Sequence, residues 1–171
     1  MTDDDHRKKR EVSRRVLRGF LPDKLADAID AAGLNNYTLA RLSDVSRQTL
    51  TNWLSGRATP SIDLLRRVLE VLQQRHRDRG LAPVTIGDLY TYDRDNPMLS
   101  DLRIMALLTQ PELGRKAGLP TTVVRELEIG TVRLMPHHVT KLADALGEGA
   151  DEALVTRAYD NTRRRDAEAE P

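Results

Sequence analysis

Arg47, Gln48, Thr49, Thr51 and Asn52 fall within six consecutive positions, and no acid interrupts them. A guanidinium pairs as a fork with guanine, the carboxamides of Gln and Asn pair with adenine, and a Thr methyl meets the thymine methyl. Any one of these residues would be unremarkable on a solvated helix face. Five together, with no carboxylate to repel phosphate, point to base edges in a DNA groove. Arg57 and Thr59 lie just past Gly56, and Asn36 lies at the first turn of the preceding segment; all three are placed to contact phosphate.

Other chemistry is poorly represented. There is no cysteine, which removes disulfides, thiolate catalysis and cysteine-ligated zinc. His137 and His138 are adjacent, so on a helix they point about 100° apart, and no third ligand is near in sequence; no metal is expected. Asp3-Asp4-Asp5-His6 belongs to a polar terminus, where solvation explains it. No Ser/His/Asp ordering, glycine-rich phosphate loop or paired-carboxylate motif occurs, so neither an enzyme nor a cofactor is expected. No apolar run reaches membrane-spanning length, and the basic start lacks the apolar stretch of a signal peptide, so a cytoplasmic protein is expected. The net charge of +1 hides an asymmetry. Residues 1–80 carry 16 Lys/Arg against 11 Asp/Glu, while residues 81–171 carry 11 against 15. A phosphate-binding face therefore belongs in the first half.

The elements that must carry these residues occur twice. Residues 34–56 align with residues 108–130 at a constant offset of 74, pairing Leu34 with Leu108, Leu39 with Leu113, Ala40 with Gly114, Val45 with Leu119, Leu50 with Val124, Trp53 with Leu127 and Gly56 with Gly130. Each copy reads as a short helix, a tight turn and a second short helix. That is a helix-turn-helix, whose second helix enters a major groove. In the first copy Asn35 and Ser46 suit N-caps, Leu39, Leu50 and Trp53 face inward, and Ala40 stands where two crossing helices have room only for a methyl. The helix 46–55 then presents the five polar residues outward.

The remaining pattern is helical throughout, so the fold class is all-α. Apolar spacing predicts helices over Lys8–Phe20 and over 23–33 with Gly33 at the end. A long helix follows Thr59-Pro60-Ser61, with Ile62, Leu65, Val68, Leu69 and Leu72 inward. A short segment spans Thr85–Tyr90, with Thr85 and Asp88 at capping distance. Residues 91–97 read as a linker between domains at 8–90 and 98–161. The second domain opens with a helix through Leu102, Met105 and Ala106, followed by its helix-turn-helix over 109–129. A helix from Pro136 to Gly147 and a last helix over about Asp151–Asn161 complete it, and the polar tail RRRDAEAEP is expected to fray. The Arg-rich segment 7–18 fits either a DNA-clasping arm or an amphipathic helix packed on the bundle.

Residues 34–72 resemble the phage-repressor, or Xre/Cro-like, helix-turn-helix family. So do residues 108–146, through LTQPELGRKAGLP, the Leu127-Glu128 pair, Gly130, Pro136 and LADAL. The resemblance implies two tandem lambda-repressor-like bundles, each of about five helices, that bind double-stranded operator DNA, usually as a homodimer, to regulate and typically repress transcription. The first copy departs at Asp44, where the family places glycine in a left-handed turn; Asp tolerates that conformation at modest cost. The second restores Gly118 but puts Pro120 where a capping Ser is expected. Its outward face would be Thr121, Thr122, Arg125 and Glu126, with Gln110 and Arg133 as further DNA contacts. A different class stays open: an adaptor or antitoxin-like protein that uses the same fold against protein, for which the acidic second half would serve.

Overall fold

The computed structural model describes residues 19–169. Among them the regular structure is helical, and the chain divides into two compact units, Met1–Thr91 and Tyr92–Pro171. No described helix is long and apolar enough to cross a membrane.

In the first unit, α1 spans Pro22–Ala31, α2 Asn36–Leu42, α3 Arg47–Leu54, α4 Ile62–Asp78 and α5 Ile86–Leu89. Leu25, Leu39, Leu50, Leu65, Leu72 and Leu89 are fully buried, and Trp53 is 2 % exposed among them. Thr85 and Asp88 form a reciprocal capping box at the start of α5, and these hydrogen bonds hold the Asp88 carboxyl below its ordinary range.

Most of the helix expected over Lys8–Phe20 lies outside the described residues, but its end does not. Phe20 is extended and forms an antiparallel bridge with Tyr90. Leu21 N–H donates to Leu89 O at 2.9 Å, and Thr91 N–H donates to Gly19 O at 2.8 Å. The helical spacing of Phe20 loses to its neighbours. Pro22 opens α1 and drives Leu21 out of the helical region, to φ −112° and ψ 93°. A Cβ on residue 19 would lie 1.6 Å from Thr91 O, so the strand-like approach requires glycine there.

In the second unit, α6 spans Leu99–Met105, α7 Gln110–Ala117, α8 Thr121–Glu128, α9 Pro136–Leu146 and α10 Glu152–Ala169. Leu99, Leu113, Val124, Leu127, Leu142, Val155 and Ala158 form the core. His138 lies in the first turn of α9, where its Nδ1 accepts the Met135 N–H at 3.3 Å; its role is a cap. The last helix runs eight residues past the expected end at Asn161, and Asn161 and Thr162 explain the continuation. Both are buried: Asn161 Nδ2 donates to Pro97 O at 2.9 Å, and Thr162 Oγ1 accepts the Leu99 N–H at 3.3 Å. Those contacts fix the turn beyond which the polar sequence was expected to fray.

Candidate nucleic-acid interface

Local hydrogen bonds build the first helix-turn-helix from both ends. Asn35 Oδ1 accepts the Thr38 N–H at 2.8 Å, which caps α2. Ser46 Oγ accepts the Thr49 N–H at 3.0 Å, which caps α3. Between them, Val45 N–H donates to Ala40 O at 3.0 Å, and Asp44 turns the chain at φ +51°. The left-handed Asp44 is held by more than its own tolerance, because Arg67 on α4 reaches its carboxylate at 3.1 Å.

That frame turns α3 outward. Arg47, Gln48 and Thr51 are exposed, and Asn52 is half-buried beside them. Gln48 Nε2 donates to Asn52 Oδ1 at 3.0 Å, so the two carboxamides form one unit on the helix surface. Thr49 is also half-buried, and its hydroxyl is hydrogen-bonded to the Ser46 hydroxyl at 2.8 Å. It therefore contributes more to the cap than to an open reading face. Arg57 and Thr59 are exposed in the loop after α3. The Arg57 N–H donates to Asn52 O at 2.9 Å, which ties the start of that loop to the helix. Asn36 is exposed as the first residue of α2.

One neighbour escaped the sequence reading. Tyr37, on α2, is 57 % exposed, and the Arg47 guanidinium lies 5.4 Å from its ring centroid. The available signal was an aromatic residue on the polar side of a short helix.

In the second unit, Leu119 N–H donates to Gly114 O at 2.8 Å, the counterpart of the Val45–Ala40 bond. Gly118 turns the chain at φ +60°, and Thr109 with Glu112 makes a full capping box. Thr121, Thr122 and Arg125 are exposed on α8 and Arg133 beyond it, whereas Pro120 leaves α8 without a side-chain cap. Gln110 is half-buried, and its Nε2 donates to Glu128 Oε2 at 2.8 Å, so this side chain is held inside the unit. Glu128 is itself buried against Arg103, which was not singled out in the sequence. Arg103 Nε and Nη2 grip the two carboxylate oxygens, the second at 3.1 Å, and Nη1 donates to Leu108 O at 2.8 Å. The scaffold is thus fastened by a buried ion pair, and α8 keeps Glu126, half-buried, beside its outward face.

A capped helix pair closed by a left-handed turn, with a polar and cationic face on its second helix, defines a helix-turn-helix domain. Residues 25–78 match the family model described as Helix-turn-helix, which points to a DNA-binding transcription regulator. The matched residues cover the first copy of the repeat and stop short of the second. Comparison with curated proteins and with solved structures gives no match.

Proposed function

We propose that this chain is a sequence-specific DNA-binding repressor that lays α3 in the major groove of its operator. It is a binding protein rather than an enzyme, acts in the cytoplasm and needs no cofactor. Arg47, Gln48, Thr51 and Asn52 read base edges, while Asn36, Thr49, Arg57 and Thr59 approach the backbone. The observation that carries this reading is the acid-free outward face of α3, held on a helix capped at its start and backed by buried Leu50 and Trp53. The second unit supports a homodimer better than a second reader. Its outward face retains Glu126, its Gln110 is engaged internally, and its half of the chain is net acidic. On that arrangement two copies of α3 meet an inverted repeat with half-sites about one helical turn apart, roughly 34 Å.

Binding-site selection from random duplex, followed by gel shifts of the full chain at low and moderate salt, tests both parts. An inverted repeat is expected. A non-palindromic site would make the second unit a reader through Thr121, Thr122, Arg125 and Arg133. Failure to enrich any sequence, or to shift DNA at low salt, would overturn the DNA-binding reading and favour contacts with protein.

A further inference from the structure

We infer that Tyr37 is a positioning residue for Arg47: its ring holds the guanidinium at the start of α3 and so sets how strictly one base is read. This rests on the DNA-reading role proposed above and adds to it a residue outside the reading helix.

At 57 % exposure, Tyr37 adds little to the core. Its ring instead faces Arg47 at 5.4 Å, inside the range of about 6 Å over which a cation is attracted to a π face. Arg47 is the first residue of α3. The positive end of the helix dipole disfavours a cation there, so helix stability does not account for it. A free arginine side chain would also have to be ordered on binding, and that entropy would count against affinity. The ring removes part of that cost beforehand.

The nearby acid is kept out of the way. Asp44 lines the same shallow depression as Tyr37, Arg41 and Arg47. Its carboxylate is taken by Arg67 at 3.1 Å, and Arg67 also reaches the Asp44 carbonyl at 3.4 Å. Arg47 therefore rests on a neutral ring, from which it can meet a base while still stacked, and no Asp44–Arg47 ion pair has to break.

The test uses the full chain and its selected site, with all four base pairs placed at the position where Arg47→Ala relaxes discrimination. Tyr37→Ala is expected to lose about two- to fivefold of that discrimination, as an exposed cation–π pair would give, with melting unchanged. Tyr37→Phe should retain it, and Tyr37→Ala should add nothing in an Arg47→Ala background. Arg67→Ala should lower the same discrimination by releasing Asp44, and Asp44→Asn should restore it. Equal loss in Tyr37→Phe and Tyr37→Ala, or a Tyr37→Ala effect that persists without Arg47, would make Tyr37 a direct backbone contact and overturn the inference. So would an Arg47→Ala protein with full discrimination at every position. A wild-type chain that prefers no sequence would instead refute the DNA-reading role itself.

Discussion

Gln48 and Asn52 should act as a coupled pair. The hydrogen bond from Gln48 Nε2 to Asn52 Oδ1 does not use Gln48 Oε1 or the Asn52 amide N–H groups. On the proposed reading, Asn52→Ala should lose a base contact of about 1–3 kcal/mol, roughly five- to 150-fold in preference for the selected site. Gln48→Ala removes its own contact and also the hydrogen bond that orients Asn52, a neutral exposed bond of about 0.5–1 kcal/mol. Each single variant loses that bond, but the double variant loses it once. The double variant should therefore cost about 0.5–1 kcal/mol less than the two singles together. Alanine is a better helix former than Gln or Asn, which offsets much of the lost exposed bond in the folded state, and neither side chain is in the core, so melting should move little. Anisotropy titrations against the selected site and a random duplex, at two salt concentrations, would measure this. Neither residue is charged, so the salt dependence should keep its slope. Equal losses on both DNAs would remove these residues from the reading face. Strictly additive losses would show that the pair does not act as one unit.

Three further outcomes follow from the packing. Trp53→Ala should destabilise the first unit by about 3–5 kcal/mol, because a side chain only 2 % exposed leaves a cavity; unchanged melting would place Trp53 at the surface. Glu128→Leu should cost the second unit about 3–5 kcal/mol by stranding the Arg103 cation, and adding Arg103→Met should recover most of it. The chain has one tryptophan, in the first unit, so fluorescence should stay native while circular dichroism reports the loss; coincident transitions would contradict this assignment. Burial, then the positive charges of His137 and Lys141, hold the His138 pKa below its ordinary 6.5. The unfolded chain therefore protonates first: the second unit is at full stability above about pH 6.5 and loses some as pH falls through that value. His138→Gln should flatten melting between pH 7.5 and 5.5, and an unchanged slope would assign the effect elsewhere.

What the sequence revealed of this fold was local. Asn35, Ser46 and Thr109 cap helices because a short side chain reaches a backbone N–H three residues away. The apolar spacing of Leu39, Leu50 and Trp53 carries the burial directly. Long-range polar pairings were hidden. Arg103 and Glu128 are 25 residues apart, and nothing in either segment marks the two charges as partners rather than solvated ends. Tyr37 and Arg47 meet across the turn, a contact that depends on how the two helices cross. Phe20 shows the opposite failure, a residue with good helical phase overruled by the proline two positions on and by pairing with Tyr90.

Residues 34–56 and 108–130 align by residue class but differ in distance where their helices approach. Ala40 and Gly114 align, and both carbonyls accept the bond that closes the turn. Ala40 carries its methyl there and is 3 % exposed. A Cβ on Gly114 would lie 2.8 Å from the backbone oxygen of Leu119, closer than real Cβ atoms approach, so the second turn is drawn tighter around a missing side chain. The two copies share a pattern without being interchangeable. The first tolerates a methyl and spends its polar residues outward, on the face of α3. The second excludes the methyl and turns Gln110 and Glu128 inward, where Glu128 meets Arg103 of the preceding helix. A side chain that satisfies a buried partner is not available to a base; Gln110 is withdrawn from the outward face in this way, which supports the proposal that the first unit is the principal reader.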